Sequence, residues 1–168
     1  VLDKELVGKL ELKIKGRLER MVGGDLMVEN LFSEIPNDRK KSILEVLEKD
    51  KESYDKIRPN VLLFDDIQYL PDDDMKKFVT EVNLDSLSAA LMGAEDKTKQ
   101  KVEASLSDAA KSMVTQFADL KGDNITKDEI ETGQMAILNK ASELDKTGVL
   151  PLKANVPGMA RPEVKADK

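Results

Sequence analysis

Residues 126–148, TKDEIETGQMAILNKASELDKTG, carry the strongest helix signal in the chain. Thr126 followed three residues later by Glu129 is a capping box, in which each side chain accepts a hydrogen bond from the backbone N–H of the other residue. After the capping box, the residues of one helix face follow at intervals of three or four: Ile130, Gln134, Ile137, Ala141 and Leu144. Gly148 is a helix stop. The segment predicts an amphipathic helix of about five turns that needs a second layer of helices to cover it.

The sequence before residue 126 repeats this periodicity in shorter blocks. One block ends at Gly23-Gly24 and one at Gly93, and two end before Pro36 and Pro59, because proline lacks the amide N–H that a helix interior needs. The predicted helices span residues 3–22, 26–35, 38–49, 54–57, 72–82, 85–93 and 105–120. The apolar face predicted for the last of these runs through Ala109, Met113, Phe117 and Leu120. Four short helices in the first sixty residues imply a layer of helical repeats.

Two segments lack helical periodicity. Val61 to Phe64 is a short apolar cluster, too isolated to be a strand of a sheet, and it is predicted to be a buried connector. After Leu150 the helical spacing of apolar residues ends. Three prolines with several charges predict a mobile tail over residues 151–168.

The composition favours helices over sheets. Aromatic residues make up only 4% of the chain and tryptophan is absent, while aliphatic residues, alanine and methionine accompany many glutamates and lysines. With 40% hydrophobic residues in 168, the chain can bury a substantial core. The predicted fold class is therefore all-α.

The chain contains no cysteine and no histidine. A disulfide, a thiolate nucleophile and a Cys-type zinc site are excluded, and the commonest general base and transition-metal ligand is missing. The sequence also lacks a glycine-rich phosphate loop and a catalytic triad. The sequence therefore predicts a protein that is not an enzyme and that needs no cofactor.

Charge and hydropathy argue against two classes of partner. The 33 acidic and 27 basic residues are interleaved, so no face is basic enough to neutralise the phosphates of a nucleic acid. No apolar run approaches the roughly 20 residues that span a bilayer, and the N-terminus lacks a signal-peptide core. We expect a cytoplasmic protein without direct membrane insertion. A first residue of Val1 would suit a fragment trimmed from a longer protein.

A cluster of acids could bind a hard cation or could serve the starts of helices. Its members are Asp65, Asp66, Asp72, Asp73 and Asp74. Carboxylates suit Mg²⁺ or Ca²⁺, but they also stabilise the first turn of a helix and solvated turns, and nothing in the spacing fixes a coordination geometry. The segment 122–129 is not an EF-hand, because Phe117 and Lys121 would then occupy ligand positions. Helix capping is the favoured interpretation.

Five short motifs occur in a fixed order along the chain. They are Gly23-Gly24, Val61-Leu62-Leu63-Phe64-Asp65-Asp66-Ile67, Glu81-Val82, Ala90-Leu91-Met92-Gly93-Ala94-Glu95 and Ser107-Asp108-Ala109-Ala110. In order and spacing they resemble the FliG family of flagellar motor switch proteins over about residues 5–150.

The resemblance implies armadillo-like helical repeats in a right-handed superhelix, followed by a C-terminal helical bundle. The implied divisions are a partial middle domain over residues 1–58, a C-terminal domain over 59–150 and a flexible tail over 151–168. Within the C-terminal domain they are a connector (59–70), a first helical layer (72–93) and a torque-helix region (95–146). The implied location is the cytoplasmic rotor ring, peripheral to the inner membrane at the flagellar basal body. The family's N-terminal domain, which anchors it to FliF, is not in the chain.

The resemblance also implies a hinge and two kinds of partner. In the family the connector carries a Met-Phe-x-Phe motif on which the C-terminal domain turns; here Val61 and Leu62 replace its first two residues and Phe64 is retained. The implied hinge and connector residues are Gly23, Gly24, Val61, Leu62, Leu63 and Phe64. The implied partners are a FliM-like switch protein and neighbouring copies in a ring, although the family's main FliM-binding motif lies upstream of Val1.

Torque in the family depends on charged residues that meet opposite charges on the stator protein MotA. The corresponding positions here are uncharged, which removes long-range attraction: Met92, Ala109, Gln116 and Phe117. The charges that remain on or near the same helix, as candidates to face a MotA-like stator, are Asp108, Lys111, Asp119 and Lys121.

The leading hypothesis is a non-enzymatic, FliG-like component of the flagellar rotor and switch complex, or a diverged paralogue, that has not retained the torque charges. A second hypothesis is an armadillo-like adaptor outside the motor, in which apolar surfaces of residues 5–58 bind another helix. A third is a divalent-cation sensor built on the acids.

Overall fold

A computed structural model describes Lys9 and residues 25–159 of the chain. These residues form helices and turns without a strand, which confirms the predicted all-α class. The α-helices are α1 (Asp25–Ser33), α2 (Asn37–Leu47), α3 (Lys51–Ile57), α4 (Asp72–Glu81), α5 (Leu84–Met92), α6 (Asp96–Ser105), α7 (Asp108–Lys121), α8 (Lys127–Lys146) and α9 (Leu152–Asn155). Short 3-10 helices span Arg58–Asn60, Phe64–Tyr69 and Gly122–Asn124.

The chain divides into two compact units between Val61 and Leu62. This division falls inside the predicted connector 59–70, three residues after the predicted domain boundary at residue 58. The predicted helix over residues 3–22 and the Gly23-Gly24 hinge lie outside the described part of the chain.

The first unit contains α1 to α3 and the 3-10 helix that follows α3. Phe32, Leu44 and Ile57 are buried, one from each α-helix. Pro36 ends the segment between α1 and α2, as the sequence predicts, and α2 begins at the next residue, Asn37. At the end of the unit the buried Arg58 guanidinium donates a hydrogen bond to the carbonyl oxygen of Val61 at 2.6 Å, which fixes the turn out of α3.

The second unit is built around α8, the longest helix that the structure describes. α8 packs along α5, α5 also contacts α7, and α4 contacts α6. The face of α8 that the sequence predicts is buried at Gln134, Ile137, Ala141 and Leu144, whereas Ile130 is half-buried. The core also takes in residues from the Phe64–Tyr69 3-10 helix and from every α-helix of this unit except α7: Phe64, Ile67, Met75, Phe78, Leu87, Ala90, Val102, Leu138 and Leu152.

A glycine lets α8 and α5 approach closely. A Cβ atom added at Gly133 would lie 2.7 Å from the carbonyl oxygen of Ser86 and 2.9 Å from the amide nitrogen of Ala90. Both atoms belong to the backbone of α5, so no side-chain rotation could make room. Next to it the Gln134 amide donates a hydrogen bond to the Ala90 carbonyl oxygen at 3.3 Å. The sequence predicts α8 itself, but gives no sign that Gly133 forms the crossing point.

Helix α6 was not predicted from the sequence. Its sequence, DKTKQKVEAS, has Val102 as its only large apolar residue, so it shows no apolar periodicity. Its start is fixed from outside: the buried Asp65 carboxylate accepts hydrogen bonds from the Glu95 backbone N–H at 3.0 Å and the Thr98 hydroxyl at 2.9 Å. Ser105, predicted to begin the next helix, is instead the last residue of α6.

The predicted flexible tail is wrong for residues 151–159. Leu152 lies in the short helix α9, and Leu152, Val156 and Met159 are each at most 2% exposed and belong to the core of the second unit. The Asp145 carboxylate accepts a hydrogen bond from the Lys153 backbone N–H at 2.9 Å, which ties the turn to α8. The prolines therefore shape turns between buried apolar residues here. Residues 160–168 lie outside the described part of the chain.

Candidate partner-binding helix

Helix α7 carries most of the predicted functional residues. The Ser107 hydroxyl caps its start by accepting a hydrogen bond from the Ala110 backbone N–H at 3.2 Å. Gly122, with φ of +43°, ends it in a conformation that other residues rarely adopt. None of its side chains is fully buried, and Ala110 and Val114 pack against the core on one side. The rest of α7 is a surface.

Three of the four predicted stator-facing charges share one side of this surface. Asp108, Lys111 and Asp119 are exposed, and spacings of three and eight residues place them along one edge of the helix. Lys111 also lines an open groove of about 400 Å³ with Gln100 and Glu103 of α6. These three residues are available to a partner.

Lys121, the fourth predicted charge, has a different role. Its ammonium group lies 2.6 Å from a carboxylate oxygen of Glu129, across the turn that joins α7 to α8. The other carboxylate oxygen of Glu129 accepts the backbone N–H of Thr126 at 2.9 Å, so the predicted capping box is present. Lys121 thus holds the two helices together.

The ion pair between Lys121 and Glu129 changes the pKa of the Glu129 carboxyl. The hydrogen bond from Lys121, and next that from the Thr126 N–H, lower the pKa of Glu129 from 4.5 to about 2. Because the pKa is lowered in the folded chain, the ionised carboxylate stabilises the fold. This contribution is complete above about pH 4.5 and disappears as the pH falls through about 2.

We expect Glu129→Gln to lower the free energy of unfolding at neutral pH, with the difference from the wild type shrinking as the pH falls from about 4.5 towards 2. Urea unfolding at several pH values would measure it. Glu131→Gln is the matched control. Glu131 lies on the same helix, and its carboxylate oxygen is 3.5 Å from the ammonium nitrogen of Lys127, a longer ion pair than that of Glu129. An equal effect of both variants at every pH would contradict this account.

The family's torque positions are not brought together as one group. Ala109 and Gln116 are exposed on the same face of α7, seven residues apart. Phe117 is half-buried on the side of the helix that turns towards the core, and Met92 is the last residue of α5. Only two of the four positions are therefore on the accessible face of α7.

The predicted inward face of α7 is wrong. Met113 is 53% exposed and Leu120 is 84% exposed, whereas Ala110 and Val114 face the core. Apolar residues occur on two faces of this helix, so periodicity alone could not decide which one is buried. The consequence is an exposed stripe that sequence reasoning missed, spaced four, three and four residues apart: Ala109, Met113, Gln116 and Leu120.

The predicted connector residues are close to the division between the two units. Val61 is fully buried and ends the first unit, while Leu62 begins the second. Leu63 is half-buried, and Phe64 is fully buried in the core of the second unit. Phe64 therefore belongs to the packed core of the second unit.

The acids of the predicted cluster have structural contacts. Asp65 holds the start of α6, and the buried Asp66 carboxylate accepts the Leu63 backbone N–H at 2.8 Å. Asp72 begins α4 and pairs with Lys101 of α6, whose hydrogen bond holds the pKa of the Asp72 carboxyl below its usual value. Within the described residues no group of three or more acids is arranged to hold a metal ion.

Among the described residues, no helix combines the length and the apolar character needed to cross a membrane.

The family model described as the FliG C-terminal domain matches residues 44–152, which include the connector, α7 and α8. The chain belongs to the FliG family. The matched region is more than half of the sequence, and it begins in α2 and ends in α9.

Relatives and solved structures agree with this membership. The flagellar motor switch protein FliG of Agrobacterium fabrum is 28% identical over 136 residues, covering 80% of this chain and 39% of that protein. The Thermotoga maritima FliG is 30% identical over 149 residues, covering 86% and 44%. The chain therefore spans about two fifths of the length of these FliG proteins.

Two solved FliG structures share the fold. A crystal structure of FliG residues 86–343 from H. pylori has a TM-score of 0.56 at 20% identity, covering 89% of this chain and 70% of that one. The full-length FliG of Aquifex aeolicus has a TM-score of 0.50 at 25% identity, covering 86% and 46%. The predicted all-α fold class is confirmed, and the fold is shared with these FliG structures.

Proposed function

We propose that the chain is a non-enzymatic structural component of the flagellar rotor and switch complex. The observation that carries this proposal is the FliG C-terminal domain match over residues 44–152, from α2 through the connector to α9. The proposed location is the cytoplasmic side of the inner membrane, at the flagellar basal body. The proposed partners are a FliM-like switch protein, neighbouring copies of the chain in a ring and a MotA-like stator.

The connector is the proposed hinge of this component. The two compact units divide between Val61 and Leu62, at the start of the segment that corresponds to the family's Met-Phe-x-Phe motif. Phe64 is anchored in the second unit, so this unit can turn as one body about the residues before it. The hinge role proposed for Gly23 and Gly24 rests on the sequence alone.

Helix α7 is the surface that we propose faces the stator. It is exposed along its length, and it keeps Asp108, Lys111 and Asp119 as accessible charges. The charges at the family's torque positions are absent, so long-range steering of a charged stator loop should be weak. We infer a rotor scaffold whose contact with a stator depends little on salt.

Titration calorimetry tests this function directly. The chain is titrated with the FliM-like protein and with the MotA-like cytoplasmic loop of its own organism, at about 0.05 M and about 0.5 M salt. We expect the FliM-like protein to bind, and the stator loop to bind weakly with an affinity that changes less than about threefold with salt.

Each other outcome has a definite meaning. Stator binding that is lost at high salt, and lost equally in an Asp108→Asn, Asp119→Asn variant, would show that the remaining charges serve torque. Binding of neither partner would contradict a motor function and would favour the alternative, an armadillo-like adaptor outside the motor. The absence of the torque charges is the observation that keeps this alternative open.

A further inference from the structure

Methionine supplies all the sulfur in this chain. The sequence contains seven methionines and no cysteine, so no thiol competes for a peroxide. A hydroperoxide converts the methionine thioether to a sulfoxide, which replaces a flexible apolar side chain with a polar one. A buried sulfur reacts only when the fold opens around it, so solvent exposure decides which methionines are oxidised in the native protein.

Met113 is the exposed methionine among those whose side chains the structure describes. It lies near the middle of α7, and its side chain is 53% exposed. Met75 and Met159 are at most 2% exposed and belong to the core of the second unit. Met92 and Met135 are half-buried. Peroxide can therefore reach the Met113 sulfur without any opening of the fold.

The neighbours of Met113 leave its sulfur accessible and its oxidation harmless to the fold. Ala109 and Gln116, four residues before it and three after it, are adjacent to it on the helix surface, and both are exposed. The side chain of Ala109 ends at Cβ and cannot cover the sulfur. The helix packs against the core through Ala110 and Val114, so a change at Met113 leaves that packing in place.

We propose that Met113 is a reversible oxidation site, through which a hydroperoxide changes the exposed stripe of α7 from apolar to polar. The terminal oxygen of the peroxide is transferred to the Met113 sulfur: the O–O bond breaks, an S–O bond forms, and the sulfur loses two electrons. Hydrogen peroxide is thereby reduced to water, and no other reactant is needed. A methionine sulfoxide reductase with a dithiol reductant reverses the step, which yields the thioether, a disulfide and water.

Oxidation at Met113 changes the polarity of the exposed stripe without changing its charge. Leu120 remains as the one large apolar side chain of the stripe, since Ala109 is small and Gln116 is polar. A neutral modification of this kind can control a contact that depends little on salt. The effect on a partner rests on the proposal that α7 faces one, whereas the oxidation itself does not.

Peroxide treatment of the full native chain tests the site. The sulfoxide at each methionine is measured by peptide mapping and mass spectrometry at several times after addition of hydrogen peroxide. We expect Met113 to be oxidised at least about tenfold faster than Met75 or Met159, because these two sulfurs become accessible only when the fold opens. Circular dichroism should show unchanged helix content, and a methionine sulfoxide reductase with dithiothreitol should restore the thioether.

Met113→Leu is the matched control. Leucine keeps the apolar surface and nearly the same volume but cannot be oxidised, and any oxidation of the half-buried methionines is common to both proteins. Peroxide should shorten the retention of the wild type on a hydrophobic-interaction column and leave that of the variant nearly unchanged. In calorimetry, the oxidised wild type should bind the MotA-like loop at least about threefold more weakly than the oxidised variant.

Three results would overturn the inference: oxidation of Met113 no faster than that of Met75, equal column retention of the oxidised wild type and the oxidised variant, or equal binding of the loop by these two proteins. Failure of the untreated chain to bind the loop is a different result. It would contradict the proposed contact with a stator, while the sulfoxide map and the column retention would still decide whether Met113 is the oxidation site.

Discussion

Gly133→Leu is expected to destabilise the second unit by about 3 kcal/mol or more, the larger of two strong stability effects. Even the first atom of a side chain at this position would lie 2.7 Å and 2.9 Å from backbone atoms of Ser86 and Ala90. Leucine would therefore force α8 away from α5, which would also break the hydrogen bond from Gln134 to the Ala90 carbonyl oxygen. Urea unfolding followed by circular dichroism gives the free energy of unfolding.

Two further variants control this prediction. Ala136→Leu introduces the same side chain on the same helix at an exposed position, and it should change stability by no more than about 0.5 kcal/mol. Gly133→Ala should be intermediate, because the better helix propensity of alanine offsets about 1 kcal/mol of the overpacking. If Gly133→Leu were as stable as Ala136→Leu, α8 and α5 could not cross as closely as described.

Asp65→Ala is expected to lower the free energy of unfolding by about 2 to 4 kcal/mol. The Asp65 carboxylate is 5% exposed and accepts hydrogen bonds from the Glu95 N–H and the Thr98 hydroxyl, and Thr98 is itself fully buried. Alanine would leave both donors without this acceptor. Because these bonds are made at the start of α6, hydrogen exchange should accelerate most in the first turns of that helix.

A double-mutant cycle isolates the long-range contact. Thr98→Val removes the hydroxyl at nearly constant volume, and the pair Asp65 and Thr98 should show a coupling energy of about 1 kcal/mol or more. Asp73→Ala is the control, since Asp73 is an exposed acid in the first turn of α4 and should have an effect below about 1 kcal/mol. Additive effects of Asp65→Ala and Thr98→Val would contradict a direct hydrogen bond.

The proposed partner site depends on a choice that local sequence could not make. In α7 the face through Met113 and Leu120 and the face through Ala110 and Val114 both contain apolar residues at helical spacing. The face through Ala110 and Val114 packs, half-buried, against the core of the second unit. Leucine and methionine are left outside as a consequence, and they become the strongest candidates for contact with a partner.

Local signals in the sequence were sufficient for most of the helices. The Thr126–Glu129 capping box, the Asn83 cap of α5 and the prolines before α2 and α4 each act within a few residues, so their effects can be predicted without the rest of the molecule. Hydrophobic periodicity likewise predicts the buried face of α8. The order and spacing of the five motifs were also enough to identify the FliG family.

Only the tertiary structure decided the remaining features, because their causes lie far apart in the chain. α6 has one large apolar residue and begins where Asp65, thirty residues earlier, accepts its hydrogen bonds. Residues 151–159 look disordered by composition, yet Leu152 and Val156 are buried in the core, and α9 contacts both α8 and the Phe64–Tyr69 3-10 helix. Such burial and hydrogen bonding depend on which surfaces meet after the helices have formed, and periodicity along one helix does not contain that information.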